Sequence, residues 1–250
     1  MNGSGAVPSQ LDASGIFETC RVREGRVLRL EEHLRRLGNS LKTAGIFDWD
    51  LGEVRRELAR SARGLREGYV RIAVRRRGSP RVQIHRQAGS PYPKEWRRRG
   101  IAVRTVPTRW PAGETGWAQA KTSERLSGIL SRAEAPGVPE ALRIGPHGYV
   151  TEGTVSNLFF VKEGTLVTAP AWLGVLEGVT RAEVIRAAER MRLRVQEVPF
   201  SRHDLFNAEE VFLTNVLMGI LPVRELDGRR IGGRIPGLVT RKLAWMIGKP

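Results

Sequence analysis

Y-V-T-E-G-T-V-S-N-L-F-F-V, from Tyr149 to Val161, sets two β-rich runs around a tight polar loop. Val150 and Thr151 lie on one side, Leu158 to Val161 on the other, and both runs read as strands anchored in a core. The loop between them carries one acid, Glu152, and one amide, Asn157. Strands on both sides hold that carboxylate in a fixed, partly buried place. Burial of a carboxylate is costly unless a cationic or protonated group faces it, so the stretch asks what faces Glu152.

Around this centre the chain reads as mixed strands and paired helices, an α+β pattern rather than strict βαβ alternation. Residues 1–13 look loose. Gly15 to Arg23 and Arg26 to Leu30 form a hairpin about Glu24-Gly25. Leu30, Leu34, Leu37 and Leu41 recur at helical spacing, which predicts a helix from Glu31 to Ala44 stopped by Gly45. Asp48 or Asp50 caps a second helix through Leu51, Val54 and Leu58. Strands follow at Tyr69–Arg76, Arg81–Arg86 and Ile101–Val106, with a turn at Gly78-Ser79-Pro80. The Pro- and Gly-rich run 107–116 reads as a linker. The expected domains are therefore 1–106, small and N-terminal, and 117–250, larger and C-terminal. The second holds a helix at about Thr122–Ala135 and strands near 141–144, 149–151, 157–162 and 165–168. Further on come a helix at Thr180–Met191, strands at Arg194–Phe200 and Glu210–Thr214, a hairpin about Asp227-Gly228 and a closing helix at Gly237–Ile247.

Composition narrows the classes. Among 250 residues there is a single cysteine, Cys20, so no intrachain disulfide forms. That fits a reducing, cytoplasmic setting. The first ten residues have no basic start and no apolar run, so no signal peptide is expected, and no apolar run is long enough for a membrane helix. The net charge is +16, and with only six lysines the basic residues are mostly arginine. Such a charge suits nucleic acid or another polyanion. The arginines are spread through helices and strands, with short runs at 75–77 and 97–99. That spread favours solvated faces and a general pull on acidic substrates over a nucleic-acid site. The four histidines show no metal-ligand spacing, so no metal is expected.

Five positions stand out chemically. Lys121, in A-Q-A-K-T-S-E-R-L, has apolar neighbours; a half-buried lysine can form a Schiff base and shuttle protons, while a lysine at a helix start is otherwise a surface residue. Val179 and Thr180 open a helix whose first N–H groups suit a phosphate, although Thr180 and Glu183 also fit a capping box. Arg36 lies beside the apolar stripe of the first helix, where a guanidinium wants an anion or snorkels to water. Glu152 could face a protonated ring nitrogen, or simply be a turn glutamate. A lysine, an acid and a helix N-terminus are the protein groups that pyridoxal 5'-phosphate needs.

Six segments, in order, resemble the class IV aminotransferases, the fold-type IV pyridoxal phosphate enzymes. They are G-I-F-E-T-C-R-V, L-E-E-H-L-R-R-L, A-K-T-S-E-R-L, V-T-E-G-T-V-S-N-L-F, L-E-G-V-T-R and F-L-T-N-V-L-M-G-I-L-P-V, spread over about residues 15 to 245. The resemblance implies a two-domain D-amino acid aminotransferase-like fold and a homodimer with active sites near its interface. It implies pyridoxal 5'-phosphate on Lys121, Glu152 against the pyridine nitrogen, and phosphate contacts from Arg36, Val179, Thr180, Asn215 and Val216. The small-molecule substrates would carry an amine and carboxylates, with Arg21, Arg71, Arg75, Arg109 and Arg125 as candidates to receive them. Phe17 stands where D-amino acid aminotransferases use a tyrosine. The T-N-V-L-M-G-I-L-P-V stretch looks most like aminodeoxychorismate lyase, which releases pyruvate to leave p-aminobenzoate, as do F-E-T-C-R and the K-T-x-x-R-L around Lys121, although Glu124 stands where lyases often have Asn. The expectation is that lyase; the alternative is an aminotransferase acting on D- or branched-chain amino acids.

Overall fold

The computed structural model describes residues 15–47, 49–75, 82–107, 120–121, 126–145 and 147–248. The expectations for 1–13, for the turn at 78–80, for nearly all of the 107–116 linker and for residues 122–125 fall outside these. The chain divides into two units, Met1–Tyr92 with Ala120–Arg125, and Pro93–Gln119 with Leu126–Pro250. The expected boundary lay at 106; here Ile101–Pro107 pairs with strands of the second unit, and the Lys121 segment belongs to the first.

In the first unit β1 (Gly15–Arg23), β2 (Arg26–Val27), β3 (Glu67–Arg75) and β4 (Val82–Ala88) form a sheet in the order β2-β1-β3-β4. β1 pairs antiparallel with β3 along its whole length. Helix α1 (Leu30–Thr43) buries Leu34, Leu37 and Leu41, and α2 (Leu51–Ala62) buries Val54, Leu58 and Ala62. These are the helical-period faces that the sequence shows. Asp50 caps α2 by accepting a hydrogen bond from Gly52 N at 2.7 Å, the Asx cap that satisfies a first-turn donor. The return strand is shorter than expected: Arg29 sits in the left-handed region, φ 57°, which breaks the strand and starts α1 at Leu30.

The second unit holds α3 (Trp96–Arg99), β5 (Ile101–Pro107), α4 (Leu126–Glu134), β6 (Glu140–Ile144), β7 (Val150–Gly153), β8 (Asn157–Lys162), β9 (Thr165–Thr168), α5 (Val179–Arg190), β10 (Arg194–Glu197), α6 (Arg202–Phe206), β11 (Glu210–Asn215), β12 (Gly219–Leu226), β13 (Arg229–Arg230) and α7 (Leu238–Gly248). Its sheet runs β10-β9-β8-β11-β12-β5-β6-β7, with β13 beside β12. β7 and β8 are joined by only residues 154–156, yet in that order they lie five strand spacings apart. Flat, five spacings are about 24 Å, whereas the linking chain reaches at most about 15 Å. The sheet therefore curls until its β7 end meets β8, and the Glu152 loop forms where it closes. The core beneath is Phe159 stacked on Phe212 (centroids 5.3 Å apart), Val161, Leu166 and Ile220, covered by Val184, Ala187 and Ala188 of α5 and Leu243 of α7. No helix among the described residues is long and apolar enough to cross a membrane.

Candidate active site

In the first unit the chemistry gathers on β1 and α1. Lys121 is fixed by its backbone: its carbonyl accepts from Phe17 N at 3.0 Å and its N–H donates to Ser40 Oγ at 3.2 Å. Its Nζ lies 4.7 Å from the centre of the Phe17 ring, a cation–π distance. The Arg71 guanidinium lies 5.6 Å from the same centre, and its Nε donates to Thr19 Oγ1 at 3.1 Å. No carboxylate pairs with Arg71 among the described residues. Burial pushes its pKa down, with Tyr69 and Tyr92 acting the other way. An amine and a half-buried guanidinium therefore flank one phenyl ring. Of the other carboxylate candidates, Arg21 pairs with Glu67 at 3.5 Å; Arg109, Arg125 and the Arg75 side chain lie outside the described residues, as does Glu124.

Arg36 has a partner that sequence reasoning missed. Its Nε and Nη2 donate to Glu18 Oε1 and Oε2 at 2.7 and 2.8 Å, and His33 Nδ1 lies 2.9 Å from Oε2. His33 and Arg36 stand at i, i+3 on one face of α1, so the E-H-x-x-R spacing and the acid in F-E-T were the available signal. Burial alone would raise the Glu18 carboxyl; the charges and hydrogen bonds of Arg36 and His33 overcome it and hold the group well below the usual carboxylate range. Donor atoms of Glu18, Cys20 and His33 lie within 4.8 Å of one another, but both Glu18 oxygens already serve the Arg36 cation. Burial, reinforced by Glu18, pushes the Cys20 thiol up, so it is no thiolate nucleophile. The carboxylate thus holds the Arg36 fork in a fixed orientation, which is what a phosphate contact from this residue needs.

In the second unit Glu152 is 7% exposed. Its Oε2 accepts from Asn157 Nδ2 at 3.1 Å and from Leu176 N at 3.0 Å, and Arg143 Nη2 donates to Oε1. Asn157 Nδ2 also reaches Leu176 O at 2.7 Å. One amide thus ties the β7–β8 loop to L-E-G-V-T-R. Gly178 is the N-cap of α5, and a Cβ there would come within 2.1 Å of Asn157 Oδ1. The expected capping box is not formed: Thr180 is the second residue of the helix, and the glycine is needed because Asn157 occupies the space. Val179 and Thr180 consequently supply first-turn N–H groups, which have no partner within a helix and suit a phosphate. Asn215 anchors the next turn, donating to Val155 O at 3.1 Å and accepting from Leu217 N and Met218 N at 2.9 and 2.8 Å. Val216 follows it, half-buried. Within this unit Glu152, Val179, Thr180, Asn215 and Val216 are brought together by loops hydrogen-bonded to one another. Within the second unit an oriented carboxylate and an open helix start are groups that suit the ring nitrogen and the phosphate of pyridoxal 5'-phosphate; the first unit, by itself, carries a lysine and a fixed guanidinium.

A sequence model of the family described as class IV amino-transferases matches residues 15–226. The chain belongs to the class IV aminotransferase family. Members of this family use pyridoxal 5'-phosphate. It is 33% identical, across 93% of its own length and 85% of the relative's, to a putative branched-chain-amino-acid aminotransferase of Methanocaldococcus jannaschii. The crystal structure of the Escherichia coli branched-chain amino acid aminotransferase is similar at TM-score 0.84 and 28% identity, covering 94% of this chain and 85% of that one. A putative 4-amino-4-deoxychorismate lyase from Legionella pneumophila is similar at TM-score 0.83 and 26% identity, covering 94% and 91%. The class IV family thereby agrees with the α+β, fold-type IV architecture expected from the six segments.

Two outcomes follow from these contacts. Glu18→Gln should cost about 3–5 kcal/mol at neutral pH, because it leaves the Arg36 charge uncompensated. Since folding lowers the Glu18 pKa, its contribution is full above the ordinary carboxylate range and erodes as pH falls below it. Denaturant unfolding should therefore show the gap to wild type narrowing in acid. Gly178→Ala should displace Asn157 and lose cofactor, read as bound pyridoxal 5'-phosphate per chain, at a stability cost of about 1–3 kcal/mol.

Proposed function

We propose that this enzyme is a pyridoxal 5'-phosphate-dependent aminotransferase that carries an amino group from an amino acid to a 2-oxo acid. The observation that carries this reading is the near full-length likeness to a putative branched-chain-amino-acid aminotransferase. The geometry of the first unit supports it: substrates on both sides of such a reaction bear a carboxylate near the reacting carbon, and Arg71 shares the Phe17 ring with Lys121.

Pyridoxal 5'-phosphate supplies an aldehyde that condenses with amines and a ring that withdraws electrons. Lys121 would hold that aldehyde, and its Nζ, once free, would serve as the base for the proton on the substrate's amine-bearing carbon. Glu152 would accept a hydrogen bond from the protonated ring nitrogen and so favour the cationic ring. Asn157 and Leu176 N fix the carboxylate so that it does not reorganise as charge develops. Val179 and Thr180 N–H, with Arg36, would hold the phosphate, and the Asn215–Val216 turn would add contacts. Arg71 would receive the substrate carboxylate. The family resemblance also supports a homodimer.

A second reading, aminodeoxychorismate lyase, is favoured by T-N-V-L-M-G-I-L-P-V and by the Legionella pneumophila structure. Both reactions begin with the same proton abstraction. They part afterwards: the lyase expels pyruvate and needs no amino acceptor, while the aminotransferase stops until a 2-oxo acid arrives.

Purified enzyme should be yellow, and borohydride should fix the cofactor to Lys121; an adduct on another lysine would remove that assignment. In a panel of L- and D-amino acids, turnover should require a 2-oxo acid. Release of p-aminobenzoate and pyruvate from aminodeoxychorismate without one would replace this reading with the lyase. Arg71→Gln should raise KM for amino acid and oxo acid by about tenfold or more, as expected for a lost charge-assisted hydrogen bond of ~1.5–3 kcal/mol.

A further inference from the structure

Arg143 lies on β6, directly beside β7, which carries Glu152. The two side chains are only 17% and 10% exposed and meet through Nη2 and Oε1. Arg143 Nε is buried with no hydrogen-bond partner, so among the described contacts the guanidinium is held chiefly by this carboxylate. The other charged groups near the loop are engaged elsewhere. Glu140 accepts from Ala141 N, Thr154 N and Ser156 Oγ at 3.0, 3.0 and 3.1 Å. Arg181 donates to Ala169 O at 2.9 Å and pairs with Glu197. Glu177 is exposed. Asn157 and Leu176 N, which fill Oε2, carry no charge.

Resting on the reading that Glu152 receives the cofactor's ring nitrogen, we propose that Arg143 is a tuning residue: it shares the Glu152 carboxylate with that nitrogen and weakens the nitrogen's hold on its proton. The physical reason is competition. A carboxylate with no second cation devotes its full charge to the protonated ring. A guanidinium on the other oxygen divides that attraction and repels the ring's positive charge directly, and the low dielectric of a buried site enlarges both effects. The ring is then a milder electron sink than Glu152 alone would make it. Asn157 and Leu176 N fix where the carboxylate sits; Arg143 sets how strongly it pulls.

The test loads the apoenzyme with pyridoxal 5'-phosphate labelled with nitrogen-15 in its ring and follows the nitrogen resonance against pH. Circular dichroism and cofactor stoichiometry confirm that each variant is folded and loaded. In Arg143→Met the nitrogen should titrate about one pH unit or more above wild type, the size of shift that a single nearby charge produces. Arg143→Lys, which keeps the cation, should stay near wild type. Should the Met variant not fold, Arg143→Gln keeps a hydrogen bond without the charge and should show the same rise. Glu152→Gln should titrate below wild type. Charge-removing variants of Arg143 that overlay wild type while Glu152→Gln moves would overturn the role of Arg143 and leave that of Glu152 standing. A Glu152→Gln titration that also overlays wild type would sink the Glu152 reading and this one with it.

Discussion

The Asn157 amide is the contact on which the second unit's chemistry rests. Its Nδ2 bridges the Glu152 carboxylate and the Leu176 carbonyl, and its Oδ1 fills the space that a side chain at Gly178 would need. A buried carboxylate, a loop and a helix start are thereby locked as one piece. The curl of the sheet makes this lock achievable, since β7 and β8 come from its far-separated positions and meet across three residues. The amide that makes the lock is short and buried. That rigidity is what electrostatic catalysis asks for, because a preset dipole or charge need not reorganise during the reaction.

Much of this was legible beforehand, because much of it is local. The apolar period of α1 and α2, the Asp50 cap and the strands around Glu152 follow from neighbours within a few residues. The contacts that escaped are those between elements. Glu18 and Arg36 are 18 residues apart, and only the packing of α1 on β1 turns an acid in a strand into the partner of that guanidinium. Arg143 and Glu152 meet only because β6 and β7 pair. The four-residue α3 and five-residue α6 are too short to show a helical period. At α5 the T-x-x-E pattern pointed to Thr180 as the cap, yet crowding by Asn157 selects the glycine two residues earlier. The lyase was read from three short stretches, T-N-V-L-M-G-I-L-P-V, F-E-T-C-R and K-T-x-x-R-L, whereas the sequence likeness over 93% of the chain is to a putative branched-chain-amino-acid aminotransferase.

Arginine plays two distinct parts here. On the surface, pairs such as Arg23 with Glu67 and Arg60 with Glu57 are solvated and contribute little to stability. In the interior, Arg36, Arg143 and Arg181 each place a guanidinium against a carboxylate. The planar fork suits such pairs better than an ammonium does. Against that preference the lysine at 121 is informative, because a guanidinium cannot condense with an aldehyde and return.

The central claim is that the Glu152 carboxylate, held in place by its neighbours, drives the chemistry of a bound pyridoxal 5'-phosphate. The most direct measurement is the single-turnover rate of Glu152→Gln with an amino acid, taken on protein whose cofactor content has been quantified. The account predicts nearly full cofactor occupancy with a rate lowered by about 10²-fold or more, since each ~1.36 kcal/mol of lost stabilisation is tenfold. A fully loaded variant that turns over at close to the wild-type rate would contradict it.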